Sequence, residues 1–300
     1  MALNIITASE TLQRGLKLIG YNAEVQAKVK AKTNIRRFKR HYGSTPKALS
    51  VLWEDLQTTQ VPEARLDSTK NQNSDKAFGF FLMFMYYMKG YPLEEVLASR
   101  FGVHEQTARK WVDFFAKKVS ALISEKVVWP DTWETIFIVS IDCVNFGTNE
   151  PRHPTLHKDK RFFDRKGGKA GLSYEIALHL FENRVVWFNG PFPPNAGTDK
   201  TIYKTKGLMQ KIPDGKKGIA DKIYMGCNKI SLHNSLDTPD VREFKARARA
   251  RQESINARLK SFGILKQRFR HGVSKHKVFC SAAMVICIYQ MENGSPLFNV

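Results

Sequence analysis

The chain has 300 residues, 42% of them hydrophobic, enough apolar content for one large domain or two ordinary ones and too much for a disordered or fibrous chain. Its longest nearly uninterrupted apolar stretch, residues 77–88, falls short of the roughly 18 needed to cross a bilayer, so no membrane span is expected. Lysines and arginines number 48 against 28 aspartates and glutamates, a net charge of +20, which points to a polyanionic partner.

The excess charge is clustered. Residues 1–40 carry nine bases against two acids, and residues 245–277 carry eleven against Glu253 alone. Binding a phosphate backbone calls for such clusters, because each neutralised phosphate releases counterions. The competing reading is a basic surface that serves only solubility. The opening MALNIITASETLQRGLKLIG has no charged head, long apolar middle or small-residue cleavage site, so an intracellular protein is expected. Cys143, Cys227, Cys280 and Cys287 include no CxxC pair and read as buried, reduced thiols.

In chain order, residues 1–70 read as a basic helical lead-in, with Ile35, Phe38 and Tyr42 at helical spacing and a polar break at 66–75. A helical region over 71–130 follows. Ser74 or Asp75 is placed to cap a helix with the body FGFFLMFMYYMKG, and Gly90 to end it in a left-handed conformation. This helix is apolar nearly all round, the pattern of a core element. Residues 91–119 then divide into two short helices about a turn at Gly102. Val96, Leu97, Phe101, Val103, Ala108, Val112 and Phe115 are spaced to make one small core, which leaves Glu105, Gln106, Arg109 and Lys110 at the front of the second helix. The pattern is that of a helix-turn-helix, whose second helix reads base edges in the major groove; Gln106, Arg109 and Lys110 are then candidate DNA contacts. The alternative is a helical hairpin that merely packs.

Residues 131–300 change texture. TIFIVSIDCVNF, LSYEIALHLF and RVVWFNGPF are β-branched and aromatic runs bounded by turn residues, the signature of three consecutive strands. DKTIYKTKGLMQKI follows as a helix, KGIADKIYMG as a fourth strand and residues 239–262 as a long helix. This order describes an α/β domain with a mixed sheet flanked by helices.

Two acids interrupt these strands. Asp142 falls near the end of the first and Asp221 in the fourth, and a carboxylate in an apolar run is costly unless paired, protonated or ligating a cation. Taken singly, Asp142 could cap a turn and Asp221 could pair with Lys217 or Lys222. On the long helix, Val241, Phe244, Ala248, Ile255, Leu259 and Phe262 form the core-facing stripe, and Glu253 lies on the opposite side among Arg242, Arg249 and Lys260. Glu253 could also be a solvated partner of Arg249 at i−4.

SIDCVNF, HPTLHKDKRFFDRKGGKAGLSYEIAL, WFNGPFPPNAGTDKTIY, GIADKIY, RARQESINARLKSFGILKQRFRHG and YQMENGSPLFNV, as an ordered set over residues 134–300, resemble the DDE-type transposase domain of PIF/Harbinger-like elements. The resemblance implies an RNase H-like fold in which three carboxylates hold two Mg²⁺ or Mn²⁺ ions that cut and rejoin DNA. The family's acids fall on Asp142, Asp221 and Glu253, with Asp142 bridging both ions and the other two each serving one. Arg249, Arg251, Lys260, Arg268 and Arg270 would hold the DNA backbone. Asp199 matches a further family acid, but its place before a helix suits an N-cap better than a ligand. Asn145 stands where the family commonly has His, and Lys222 directly follows the second acid, where a cation weakens metal binding. The resemblance also implies a nuclear setting, with 30–40 (KAKTNIRRFKR) as an import signal, a second element-encoded DNA-binding partner and possible homo-oligomers.

The chemistry suits such a set. Two divalent ions about 4 Å apart activate an attacking oxygen and stabilise the leaving 3′-oxygen, and hard Mg²⁺ takes oxygen ligands. Other candidates are weaker. His153, His157, His179, His233, His271 and His276 show no zinc spacing, and neither a GxSxG elbow nor a GxxxxGK[ST] loop occurs. KGGKAG (166–171) reads as a flexible basic loop, and the five tryptophans as core. Two rival functions stay open: a catalytically inactive transposase-derived DNA-binding protein, and an RNA-processing nuclease with the same metal chemistry.

Overall fold

The computed structural model describes residues 4–67, 72, 74–150, 159–165, 167–195 and 197–300. The chain forms two compact units, each assembled from three stretches. The first comprises residues 1–125, 259–267 and 278–295, and the second 126–258, 268–277 and 296–300. The polar break at 66–75 therefore lies inside the first unit.

The first unit is helical. Its early helices are α1 (Ala8–Leu18), α2 (Ala23–Ala27), α3 (Ala31–Tyr42), α4 (Pro46–Thr58), α5 (Asp75–Gly90), α6 (Glu94–Phe101), α7 (Glu105–Ala121) and α8 (Ile123–Lys126). Side-chain caps start several of them. Thr7 and Glu10 form a reciprocal capping box, Thr45 precedes Pro46, and Ser74 Oγ accepts from Ala77 N at 3.2 Å. As the all-round apolar pattern requires, α5 is central. Phe81 and Phe84 are fully buried on it, Trp53 packs edge-on to Phe78 at 5.1 Å, and Phe80 stacks on Trp111 at 4.7 Å. The left-handed terminus of α5 is Tyr91 (φ 50°) rather than Gly90, which stays helical. Ile35 is exposed while Phe38 and Tyr42 are buried, so the helical stripe of α3 is narrower than its spacing suggests. Late in the chain, α12 (Gly263–Lys266) and most of α13 (Val273–Glu292) belong to this unit. The buried run from Ser281 to Met291 makes α13 a second core helix that periodicity alone does not reveal. No helix among the described residues is long and apolar enough to cross a membrane.

The second unit is mixed α/β. Its strands are β1 (Phe137–Gly147), β2 (Phe163–Asp164), β3 (Lys169–His179), β4 (Val185–Phe192), β5 (Lys217–Ile219) and β6 (Ile230–Ser231). The helices are α9 (Asp199–Thr205), α10 (Leu208–Lys211) and the long α11 (Pro239–Lys260), whose last two residues belong to the first unit. One six-stranded sheet results. β3 pairs antiparallel with β1 on one edge and with β2 and β4 on the other, while β1, β5 and β6 run parallel. Such parallel pairs need crossover connections, and α9 with α10 supplies the one between β4 and β5. The fourth strand is much shorter than its sequence run. β5 ends at Ile219 and Asp221 caps a 3₁₀ turn at Lys222–Tyr224. A side chain at Gly218 would sit 2.6 Å from Ile141 Cδ1, so glycine there lets β5 approach β1. Of the run 166–171, Gly167 and Gly168 (φ 63°) form a turn and Lys169 to Gly171 already belong to β3, so these described residues are turn and strand rather than a flexible loop; Lys166 lies outside the described residues.

Each sheet face is covered. One packs Val139, Ile141, Ala177 and Val186 against Tyr203, Leu208 and Ile212 of the α9–α10 segment. The other receives α11 through Ala248 against Leu180 and Ile219. Because side chains alternate along a strand, Ser140 and Asp142 face α11 while Cys143 faces the opposite layer.

Candidate functional site

Alternation on β1, an early end to β5 and one face of α11 together build a cleft. Ser140, Asp142, Ile219, Asp221, Arg249, Gln252 and Glu253 line it. The three carboxylates singled out from the sequence thus come from a strand, a turn and a helix to a common small hollow. Among the described residues, however, no group of three or more His, Cys, Asp or Glu side chains is gathered closely enough to hold a metal ion.

Each acid has a definite setting. Asp142 lies in mid-strand and does not cap a turn; its Oδ1 accepts from Cys143 N at 2.9 Å, and its Oδ2 from Asn256 Nδ2 at 2.8 Å. Asp221 Oδ1 accepts from Lys222 N at 2.6 Å and lies 3.5 Å from an Arg249 guanidinium nitrogen. The ion-pair partner of Arg249 is therefore Asp221 rather than Glu253. Glu253 is exposed on α11, on the side away from buried Ala248 and Ile255.

Two further residues belong here that were not singled out from the sequence, Gln252 and Asn256. With Arg249 and Glu253 they occupy i, i+3, i+4 and i+7 of one helical face, a polar stripe readable beside the apolar one. Gln252 is 2% exposed, and its Oε1 accepts from Ser140 Oγ at 2.9 Å while its Nε2 has no partner. Asn256 Oδ1 is likewise buried and unpartnered. Since an unmet buried polar group costs about 1–3 kcal/mol, both amide ends mark places where a ligand or solvent would be stabilised.

The basic residues divide. Arg268, Arg270 and Lys260 are exposed, as phosphate contact requires. Arg251 is not, and its expected role as a DNA contact is corrected: it is 2% exposed and donates to the carbonyls of His179, Leu180 and Glu182. Burial lowers its pKa to about 10, and it serves as an internal staple of the loop after β3. Asp199 is corrected too. Thr198 is the N-cap, accepting from Thr201 N at 3.3 Å, and Asp199 is the first residue of α9.

In the first unit, α6 ends at Gly102 (φ 63°), and His104 caps α7 with its Nδ1 accepting from Gln106 N at 3.2 Å. Leu97, Ala108, Val112 and Phe115 are buried, Phe115 against Trp53 of α4 and Phe81 and Phe84 of α5, but Val96 is 52% exposed and drops out of the expected core. Gln106, Arg109 and Lys110 are exposed, and Arg109 pairs with Glu94 of α6. The 30–40 segment lies on α3 with Asn34 and Phe38 buried. His153 and His157 lie outside the described residues.

Under the opposite sheet face, Glu175 is fully buried. One carboxylate oxygen accepts from Trp187 Nε1 at 2.9 Å and the other has no partner. Burial pushes its pKa up to about 7, so this carboxyl is largely neutral below that value. Desolvation likewise raises the Cys143 thiol and Tyr224 hydroxyl well above their usual ranges.

Set against family models, curated proteins and solved structures, the chain matches none.

Proposed function

We propose that the second unit is an RNase H-like nuclease domain of the DDE transposase type, which cuts and rejoins DNA in a divalent-metal-dependent reaction. The observation that carries this reading is the approach of Asp142, Asp221 and Glu253 to one cleft from elements far apart in the chain. The antiparallel β4–β3–β1 order continued by parallel β5 and β6 supports it. So does a net charge of +20.

The donor set fits the expected metal in kind. It offers only carboxylate oxygens, as hard Mg²⁺ or Mn²⁺ prefers, with a buried orphan amide oxygen on Asn256 close by. Asp142, Asp221 and Glu253 would hold two such ions, which supply activation of the attacking oxygen and stabilisation of the leaving 3′-oxygen. The chain's own contributions are distinct. Asn256 orients Asp142, Arg249 offsets the charge of Asp221, and exposed Arg268 and Arg270 engage phosphates. The α6–α7 pair, read as a helix-turn-helix, would choose the sequence. The same reading implies a nuclear protein, working with a second DNA-binding protein and as a homo-oligomer.

The rival is a transposase-derived DNA-binding protein without turnover. It is favoured by the Arg249–Asp221 contact and by the absence of a gathered ligand set among the described residues. Nicking of supercoiled DNA separates the two. The wild type should nick with Mg²⁺ or Mn²⁺ and not with EDTA, and Asp142→Asn should lose nicking by at least about 10³-fold while still retarding DNA in a gel. Retardation without nicking in the wild type supports the rival.

A further inference from the structure

A second, larger hollow of about 460 Å³ lies in the same unit. Two elements contribute to both places. β1 gives Asp142 to the acid cleft and Asn145 to this hollow, and the turn after β5 gives Asp221 to the first and Ile223 to the second. Side chains alternate along β1, so Asp142 faces α11 and Asn145 faces the α9–α10 layer, and the two hollows lie on opposite faces of the sheet. The volume is that of a small-molecule site.

Its lining combines apolar faces with a polar edge. Phe163 and Ile223, 42% and 39% exposed, present its apolar faces. Asn145 and Asp199 supply the edge. Ser173 Oγ donates to Asn145 Oδ1 at 2.6 Å, which leaves the amide nitrogen as the end a ligand would meet. The cleft therefore offers a donor from Asn145 together with an acceptor from Asp199. Exposed Arg165 adds a cation at the rim.

We propose that this hollow takes a single unstacked nucleobase, and that it favours cytosine or adenine, the bases whose Watson–Crick edge sets an amine beside an unprotonated ring nitrogen. An exocyclic amine would donate to Asp199, and the adjoining ring nitrogen would accept from Asn145; thymine has no such amine. Phe163 and Ile223 would bracket the ring, as side chains do for bases read outside a duplex. Arg165 would meet the phosphate. That the base is delivered by DNA engaged at the acid cleft rests on the nuclease reading; the hollow's chemistry does not.

The test is titration of dCMP, dAMP and dTMP into the full-length protein, followed by ligand-observed NMR. The expected result is saturable binding of dCMP or dAMP with a dissociation constant of about 1 mM or tighter, about tenfold tighter than dTMP. Ile223→Trp, which fills the hollow from an exposed position, should abolish binding, and Asp199→Asn should erase the preference. Absence of saturable binding, equal affinity for dTMP, or indifference to Ile223→Trp overturns the proposal. Nucleotide binding without metal-dependent nicking would sink the nuclease reading alone, and nicking without nucleotide binding would sink the base site alone.

Discussion

Asn256, on α11, donates its side-chain amide to Asp142 Oδ2 at 2.8 Å across 114 residues of sequence. The bond holds one carboxylate oxygen of a strand acid in a fixed direction, from a helix that also carries Glu253. A hydrogen bond to a charged group contributes about 1.5–3 kcal/mol, more than most single surface contacts.

Replacing Asn256 should therefore separate catalysis from stability. Asn256→Ala is expected to reduce Mg²⁺-dependent nicking about tenfold or more, with a melting shift of only a few degrees because the residue is half-buried. Nicking rates at saturating metal alongside thermal melts decide it. A rate loss no greater than the fraction unfolded would reduce Asn256 to a packing residue.

Glu253 and Glu243 provide a matched pair on α11. Both are exposed, but only Glu253 lines the acid cleft. Glu253→Gln should abolish nicking, and Glu243→Gln should leave it within about twofold. DNA retardation should be preserved in both. Similar nicking by the two variants would remove Glu253 from the site.

Arg251 is expected to behave as a folding residue despite its place in the basic segment. Arg251→Met strips several loop carbonyls of their donor, at a cost of about 3 kcal/mol or more, or roughly 10 °C in melting temperature. Arg268→Ala and Arg270→Ala should leave the melt almost unchanged. Each should lower the slope of log affinity against log salt by about 1. An unaltered slope in the latter two would place the DNA track elsewhere.

Glu175 makes stability depend on pH. Its carboxyl is raised in the fold from the ordinary value near 4.5 to about 7, so the folded protein binds its proton more tightly than the unfolded chain. The contribution is complete below pH 4.5 and is lost as pH rises through 7, an effect of about 3 kcal/mol across that window. Glu175→Gln keeps an oxygen for Trp187 and cannot ionise. It should flatten this part of the stability–pH curve and raise the melting temperature at pH 8. A wild type equally stable at pH 5 and 8 after correction for other groups would show that Glu175 is not buried as described.

Arg109 tests the α6–α7 pair. Its guanidinium is exposed but tied back to Glu94, so base reading requires exchange of that partner. Arg109→Ala should relax DNA sequence preference by about 1–3 kcal/mol at one base pair without unfolding α7. Selection from a random-sequence DNA pool shows whether preference narrows to the same motif with and without Arg109.

Local pattern was enough for much of this chain. β-branched runs located β1, β3 and β4, the apolar stretch located α5, and a 3.5-residue stripe placed Glu253 on the side of α11 away from its core. The two basic clusters and the three candidate acids were also legible, because residue type and period are properties of neighbours in sequence. Packing decided the rest. Whether Arg251 meets phosphate or backbone carbonyls depends on a loop about 70 residues away, and whether Asp142 has an amide partner depends on a helix more than 100 residues on. The return of residues 259–267 and 278–295 to the first unit left no periodic signal, since a helix buried on every side has no polar face to betray its period. A sequence fixes which groups are available, but a buried polar atom takes its partner from whatever the folded chain brings within about 3 Å.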